Sequence, residues 1–385
     1  MISTDKQKNK GPFDLPGLPA QIDYADLVEH ISKANSALAR LDEMLKQTRI
    51  GSLIESTFLT QEAVLSSKIE GTQVTIEDVL KQEADEGKNV TENDEKGRDV
   101  REVINYRRAM QEGTKLIDKG ETLSENNVKQ LHRTLLHSVR GRTRAPGDFR
   151  REQVYIAPPG TPMSEARYIP PSPAAIPNLY SNFDRYLNTT DSERDALVQI
   201  AVAHYQFEAI HPFMDGNGRV GRLLIPLFLY DRKIIARPLM YVSKYFEEHR
   251  RDYYDLLADV SYKDAWTPWI RFFLNGLSEQ AQDAIHLGRE IVALRERIYS
   301  ELRKFNSPYA PNLLDAIFKQ PYFTPVSIRV AAGIRTQQTT LTLIRKFLKA
   351  DILADATPHR QRNKIYMFKS LIELMDTGKH KKETR

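Results

Sequence analysis

The chain of 385 residues contains no cysteine. This absence excludes a disulfide framework, a cysteine nucleophile and a thiolate zinc site. No stretch approaches the roughly 20 consecutive apolar residues that a membrane-spanning helix needs. The N-terminal sequence MISTDKQKNKGPF also has no apolar region of the kind found in secretory signals. We therefore expect a cytoplasmic protein that does not bind a membrane.

A strong excess of charge is also missing, since 56 Lys and Arg residues face 51 Asp and Glu residues, for a formal net charge of +5. This mild basic excess favours anionic ligands such as nucleotides or nucleic acid without selecting one of them. Hydrophobic residues make up 41% of the chain, which is enough for a globular core. The length allows two or three domains.

Apolar residues recur at i, i+3 and i+4 over most of the chain, as in LVEHISKANSALARLDEMLK, which predicts a mainly α fold. Thr75 with Asp78 three residues later is typical of a capping box at a helix start. The stretch 140–172 is rich in proline and glycine and contains two strand-like runs, QVYIA and ARYIP. These runs predict a small β-hairpin that forms a flap.

The C-terminal region has a different pattern. PNLLDAIFKQ, VSIRVAAG and RTQQTTLTLIRKFLKA predict three helices, and ILADATPHRQRNKIYMF predicts two strands with a basic tip. This order is typical of a winged helix-turn-helix domain. Such a domain binds DNA or serves as a protein–protein module, and the pattern leaves both open.

The most informative stretch is HPFMDGNGRVGR, residues 211–222, where a loop leads into a new helix. Unpaired backbone N–H groups and a positive dipole at the start of a helix attract anions. The glycines of GNG let those N–H groups approach a phosphate closely. Arg219 and Arg222 lie near one face of the helix and can reach the same anion. Asp215 is suited to Mg²⁺, and His211 can accept a proton from a hydroxyl.

This stretch resembles the signature of the Fic family, HPF-x-[DE]-GNG-R-x-x-R, at every defined position, and the resemblance extends over roughly residues 23–276. It implies a Fic-type helical core and transfer of AMP from ATP to a Ser, Thr or Tyr hydroxyl of a target protein. It also implies that His211 is the general base, that Phe213 anchors the loop and that Asp215 binds Mg²⁺. The residues implied to bind the nucleotide within the signature are Gly216, Asn217, Gly218, Arg219, Val220, Gly221 and Arg222.

The resemblance implies further contacts outside the signature. The flap residues Val154, Tyr155 and Ile156 would position the target by added-strand hydrogen bonds. Tyr253 and Tyr254 occupy positions that lie beside the adenine in relatives. Tyrosines on a helix more often belong to the core, so both interpretations of this pair stay open.

A second short motif precedes the core. SSKIEG, residues 66–71, resembles the inhibitory motif [ST]-x-x-x-E-[GN] of the family. Ser66 and Glu70 share a helix face, and Gly71 is a natural helix stop. The resemblance implies that Glu70 pairs with Arg222 and keeps the γ-phosphate away from it, so that ATP binds unproductively. The same glutamate aids removal of AMP from the target in some relatives.

The patterns together predict the following layout: an extended N-terminal segment (1–22), an N-terminal helical region with the inhibitory helix (23–98), a Fic catalytic core (99–276), a linking helix (277–305), a winged-helix domain (306–376) and a basic tail (377–385). Self-modification and a homodimer are compatible with this layout. The alternatives are a nucleotide-responsive DNA-binding regulator and a Fic relative with deAMPylating, kinase or other phosphotransfer activity.

Overall fold

The computed structural model describes residues 15, 17, 18, 20–46, 48–85, 95–137, 145–157, 160–191 and 194–377. The predicted extended segment at the N-terminus lies mostly outside these residues, and so does nearly all of the predicted basic tail. Within the described residues no helix is long and apolar enough to cross a membrane.

Helices dominate the described chain, which confirms the predicted mainly α class. The helices are α1 Val28–Lys46, α2 Thr48–Ile69, α3 Ile76–Ala84, α4 Glu95–Asp118, α5 Glu125–Leu135, α6 Ile176–Asn188, α7 Ala196–Ile210, α8 Asn217–Asp231, α9 Ser243–Glu248, α10 Arg250–Lys263, α11 Trp266–Glu301, α12 Ala310–Lys319, α13 Pro325–Ala331, α14 Gln337–Lys349 and α15 Lys369–Thr377. Pro226 lies inside α8, which continues through it.

The chain forms two compact units, each assembled from three separate segments. The first unit contains Met1–Leu38, Asn105–Pro238 and Val242–Glu279. The second unit contains Ala39–Ile104, Leu239–Tyr241 and Gln280–Arg385. The signature loop therefore belongs to the first unit, and the predicted inhibitory motif belongs to the second.

The core of the first unit is built around α7. This helix is apolar on nearly all sides, and thirteen of its residues are buried against neighbours that include α6 and α8. A helix that is apolar all round is stable only when it is surrounded by protein. Its buried position fixes the end of α7, where the signature begins.

In the second unit, α2 packs against α12, and α3 packs against the first strand of a small sheet. The strands are β1 Tyr322–Phe323, β2 Ala354–Asp355 and β3 Tyr366–Met367, in the antiparallel order β1-β3-β2. Helices α12, α13 and α14 precede the paired strands β2 and β3 along the chain, and the winged-helix assignment of this region stays a prediction. The sheet has one more strand than the sequence pattern indicated, because Tyr322 and Phe323 pair with β3.

Two local predictions about helix ends are confirmed. The Thr75 side chain accepts from the Asp78 backbone N–H, and the Asp78 carboxylate accepts from the Thr75 N–H, which completes the capping box. At the end of α2, Gly71 has φ +104°. The N–H of Gly71 bonds the carbonyl of Lys68, and that of Thr72 bonds the carbonyl of Ser67. These two bonds form a Schellman motif, which favours glycine at its left-handed position.

The predicted flap hairpin is present in reduced form. Its backbone pairing is one antiparallel bridge between Ile156 and Tyr168, without extended strands in the described residues. Pro162 and Pro170 have no N–H to donate, and Met163–Glu165 form a short 3₁₀ turn. The prolines therefore limit how far the two segments can pair.

Candidate active site

His211 is the residue that ends α7. Its backbone N–H still bonds the carbonyl of Phe207, but its φ of 50° and ψ of 60° are left-handed. This turn sends the chain out of the helix and leaves the imidazole partly exposed. The imidazole Nδ1 lies 3.3 Å from the carbonyl oxygen of Glu208. Because a carbonyl only accepts, this contact places the hydrogen of the neutral ring on Nδ1 and makes Nε2 the basic nitrogen.

The loop after His211 is closed by Asn217, the first residue of α8. Its Nδ2 donates to the carbonyl of Phe213 and its Oδ1 accepts from the N–H of Phe213, both at 2.8 Å. Gly216 precedes the helix with φ 78°, a left-handed conformation that costs glycine little. A side chain there would also press on Leu135 and Leu136 at 3.3–3.4 Å. The start of α8 thus has a fixed direction.

His132 on α5 supports the same loop from outside, and the sequence did not single it out. Its buried ring stacks on Phe213 with 3.8 Å between centroids and 10° between planes. Nδ1 accepts from the N–H of Gly147 at 2.8 Å, so the hydrogen lies on Nε2, which donates to the carbonyl of Asp215 at 2.9 Å. Burial lowers the pKa of His132 to about 4, which keeps the ring neutral.

The charged groups of the signature gather at the start of α8. The Arg219 guanidinium lies 3.5 Å from the carboxylate of Asp215, which is 38% exposed. Arg219 and Arg222 are both buried. Two buried guanidinium groups, one of them close to the Asp215 carboxylate, lie beside a helix N-terminus, and this combination of donors favours the binding of an anion. Gly218 and Val220 lie in the same first turn of the helix.

Gly221 is required by the close approach of α7 and α8. A Cβ at this position would lie 2.3 Å from a carboxylate oxygen of Glu208 and 3.2 Å from Phe207. The glycine therefore makes room for Glu208 and brings the two helices together beneath the loop. Gly221 therefore contributes to the site indirectly, because it allows α7 and α8 to pack closely.

The two tyrosines of α10 have different surroundings. Tyr253 is buried, and its hydroxyl lies 2.9 Å from Nε2 of His204. His204 in turn contacts the carbonyl of Gly221 through Nδ1 at 3.2 Å. Burial and the charge of Arg222 lower the pKa of His204 to about 3. Tyr253 therefore connects α10 to α7 and α8 through a neutral histidine.

Tyr254 instead lines a cavity beneath the flap. Ile156, Arg167, Tyr168 and Glu208 line the same cavity. The Arg167 guanidinium lies 5.5 Å from the centre of the Tyr254 ring, which is within the range of a cation–π contact. Tyr254 therefore offers an aromatic ring to a flat group bound in this cavity.

Side-chain contacts fasten the second flap segment to the helices. Arg167 pairs with Asp255 of α10, and its backbone carbonyl accepts from the Tyr262 hydroxyl at 2.9 Å. The Tyr168 hydroxyl donates to the carbonyl of Ala209 at 3.0 Å. The first segment points outward, since Tyr155 is 43% exposed while Val154 and Ile156 are half-buried.

The predicted inhibitory residues lie at the end of α2 in the second unit. Ser66 is fully buried, Glu70 is the exposed C-cap residue, and Gly71 supplies the left-handed turn described above. A carboxylate at the end of a helix is disfavoured by the dipole. This position favours a cationic partner for Glu70.

The residues of the loop fit a bound Mg²⁺ ion. No cluster of three or more metal-ligating side chains occurs in the described part of the chain. Mg²⁺ in nucleotide sites commonly uses one or two carboxylates and completes its coordination with phosphate oxygens and water. Asp215, half-exposed beside the anion site, matches this requirement.

Two models of one protein family match this chain. Residues 28–115 match the model described as "Fic/DOC family N-terminal", and residues 122–229 match the model described as "Fic/DOC family". Together the two models cover about half of the chain.

Curated relatives carry the name "Protein adenylyltransferase Fic". The protein of Culex quinquefasciatus is 34% identical over 161 residues, which is 41% of this chain and 28% of that protein. The protein of Drosophila melanogaster is 34% identical over 147 residues, which is 38% of this chain and 26% of that protein. The matched region thus spans less than a third of the length of these relatives.

Solved structures share the fold. A Fic family protein from Desulfovibrio desulfuricans G20 aligns with a TM-score of 0.55 and 22% identity, covering 91% of this chain and 97% of that one. A Fic domain-containing signalling protein from Bacteroides thetaiotaomicron aligns with a TM-score of 0.53 and 19% identity, covering 68% of this chain and 96% of that one.

Proposed function

This chain belongs to the Fic/DOC family, and we propose that it is a protein adenylyltransferase that moves AMP from ATP to a Ser, Thr or Tyr hydroxyl of a target protein. One observation supports the proposal most strongly. The imidazole of His211 and the buried guanidinium groups of Arg219 and Arg222 lie at the two ends of a single closed loop.

In the proposed reaction, Nε2 of His211 takes the proton from the target hydroxyl. The hydroxyl oxygen then forms a bond to the α-phosphorus of ATP, and the bond from that phosphorus to its β-bridging oxygen breaks, so pyrophosphate leaves. The backbone N–H groups at the start of α8, with Arg219 and Arg222, hold the phosphates in line and neutralise their charge. Asp215 would hold Mg²⁺, which supplies further charge neutralisation when bound.

The flap and the cavity beneath it support the two remaining roles. We assign target positioning to Val154, Tyr155 and Ile156, because an exposed backbone edge can accept an added strand. We assign the nucleobase contact to Tyr254, since this residue lines the cavity and Tyr253 is engaged with His204 in the core. Tyr253 then contributes by supporting α10 from below.

Inhibition by Glu70 is part of the proposal. The Schellman motif at Gly71 fixes the last turn of α2, and buried Ser66 lies one turn before Glu70 on the same face. Pairing of Glu70 with Arg222 would remove one anchor of the γ-phosphate and leave ATP bound in an unproductive position. The same glutamate aids removal of AMP from the target in some relatives, so the proposal includes a reverse, deAMPylating activity that depends on Glu70.

DNA binding by the C-terminal region is a weaker candidate. Arg360, at the predicted basic tip, makes two contacts of 2.9 Å to the carboxylate of Asp85 within the second unit. Lys364 pairs with Asp355 at 2.6 Å. Two of the cations expected to face phosphates are therefore engaged by carboxylates, so we do not include DNA in the proposed function.

The test uses ATP labelled at the α- or the γ-phosphate, with Mg²⁺, cell lysate and the Glu70→Gly protein. The proposal predicts α-label on protein and at least about fivefold more of it than with the unsubstituted chain, the range of typical coupling energies. Lys68→Gly is the matched control, because it places glycine in the same helix turn and keeps the carboxylate. Bound γ-label would show a kinase, and no transfer of either label would reject both reactions.

A further inference from the structure

Arg150 lies between the flap and the signature loop, and neither the sequence nor the proposed chemistry gives it a role. Its side chain is 2% exposed. Nε donates to the carbonyl of His211 at 2.8 Å, and one terminal nitrogen donates to the carbonyl of Pro171 at 2.5 Å. The other terminal nitrogen donates to the carbonyl of Glu152 at 3.2 Å.

These three carbonyls belong to three distinct points of the site. Glu152 immediately precedes the first flap segment, and Pro171 immediately follows the second. His211 supplies the proposed base. The backbone N–H of Arg150 also bonds the carbonyl of Pro212 at 2.9 Å. A single residue thus touches both ends of the flap and the residues on which the chemistry depends.

The chemistry of the contacts suits a guanidinium group. Its planar fork offers five donors in fixed directions, and the partners are backbone carbonyls without a formal charge. The carbonyl of Ile210 at 3.4 Å adds the negative end of the α7 dipole. Burial lowers the pKa of Arg150 to about 10, so the group stays charged at neutral pH.

We propose that Arg150 is a positioning residue that sets the distance between the flap and the imidazole of His211. The proposal rests on the adenylyltransferase function proposed above, since it assigns the flap to the target and His211 to the proton. In the part of the flap that the structure describes, one backbone bridge and one side-chain bond, from Gln153 Nε2 to the carbonyl of Pro170 at 2.9 Å, join the two segments to each other. Neither fixes the flap relative to His211, so a further constraint is needed to hold a target hydroxyl at the base. Arg150 supplies it from beneath both flap ends.

The role proposed for Arg150 affects the position of the target and leaves nucleotide binding unchanged. Arg150 contacts neither the start of α8 nor the arginines of the anion site through any of the bonds described. A lysine would keep the charge but offers one nitrogen, so it cannot reach all three carbonyls in the same geometry. Misplacement by about 1 Å can reduce an oriented reaction by about 100-fold.

The test compares Arg150→Lys with Arg151→Lys, both in the Glu70→Gly protein. Arg151 is the adjacent residue and is exposed, so it controls for the same chemical change at the same place. Initial rates of α-label transfer to lysate protein are measured against ATP concentration. Binding of a non-hydrolysable ATP analogue with Mg²⁺ is measured by calorimetry, and amide exchange is followed at the flap.

We expect Arg150→Lys to lower the maximal rate by about 10- to 100-fold. The apparent KM for ATP and the Kd of the analogue should stay within about twofold, and the amides of Ile156 and Arg167 should exchange faster. Arg151→Lys should match the parent. An unchanged maximal rate would overturn the proposal, and so would a Kd that weakens in step with the rate, since that indicates general damage to the fold.

Amide exchange separates this proposal from the function on which it rests. If the Glu70→Gly parent transfers no label, the adenylyltransferase function fails. Faster flap exchange in Arg150→Lys alone would still support the coupling between flap and loop. Equal exchange in both arginine variants would overturn that coupling whatever the activity of the parent.

Discussion

The signature loop and the flap lie in the same unit but are held in different ways. The loop is fixed by hydrogen bonds from three sides: Asn217 from α8, His132 from α5 and Arg150 from the segment before the flap. Within the described residues the flap has one backbone bridge. Side-chain bonds join its second segment to the helices, and Gln153 of the first segment donates through Nε2 to the carbonyl of Pro170 at 2.9 Å. The loop has to hold phosphates and a base in fixed geometry, whereas the flap has to accept a partner strand.

The signature loop is rigid, as the reaction requires, and the flap is adaptable, as recognition of different targets requires. Preorganised donors lower the barrier because they do not have to reorganise during the reaction. A backbone edge with few internal bonds can pair with target segments of different sequence, because the hydrogen bonds come from the main chain. Substitution of Asn217, Arg219 or Arg222 should therefore lower stability or nucleotide binding, whereas substitutions in the flap should change target use.

The largest effect on stability should come from removing the support that His132 gives the loop. His132→Ala deletes a buried ring and leaves the N–H of Gly147 and the carbonyl of Asp215 without this partner. We expect a loss of about 2 to 4 kcal/mol in the free energy of unfolding, measured by chemical denaturation. His137→Ala, at an exposed histidine after the same helix, is the control. Equal, small losses in both variants would contradict a supported loop.

A separate effect on stability depends on pH and concerns His204 of α7. Its pKa is about 3 in the folded chain, because burial and Arg222 oppose its charge, and about 6.5 in an unfolded chain. Below pH 6.5 the unfolded chain therefore binds a proton that the folded chain refuses. This histidine should lower the free energy of unfolding by up to about 1.4 kcal/mol per pH unit between pH 6.5 and pH 3.

Denaturation at a series of pH values checks this expectation. Substitution His204→Gln should flatten the slope in that window, although it also weakens the contacts to Tyr253 and Gly221 at neutral pH. The exposed residue His286 supplies the control, since His286→Gln should leave the slope as it was. A slope that survives His204→Gln unchanged would place the acid sensitivity elsewhere.

The smallest effect on stability should come from the outward flap segment. Tyr155→Ala removes an exposed side chain, so we expect less than about 0.5 kcal/mol change in stability. Transfer of label to lysate protein should nevertheless fall a few-fold, while binding of an ATP analogue stays the same. Met163→Ala, an exposed residue in the flap turn, tests whether any apolar loss there has this effect. An equal drop for both would argue against a specific role for Tyr155.

Much of this site could be predicted from local sequence. The signature, the capping box at Thr75 and the glycine stop at Gly71 depend on residues within a few positions of one another. The spacing of these residues is enough to predict the backbone geometry of each motif. The positive site at the start of α8 follows from the same local order of glycines and arginines.

The supporting residues could not be predicted in this way. His132 meets Asp215 across 83 positions, and Arg150 meets His211 across 61. Their neighbours in sequence show ordinary helical or proline-rich patterns, so no local signal marks them. The short extent of flap pairing could not be predicted from the sequence either, because the effect of a proline on strand pairing depends on which strand edge it faces.

The most direct measurement is the rate of α-label transfer from ATP to protein by Glu70→Gly, with and without His211→Ala. The account predicts clear transfer by Glu70→Gly and a loss of at least about 100-fold with His211→Ala, the usual contribution of a general base. Binding of the ATP analogue should be equal in the two proteins, because the anion site is intact. Transfer that persists without the imidazole would contradict the assignment of His211 as the base and, with it, the proposed reaction at this loop.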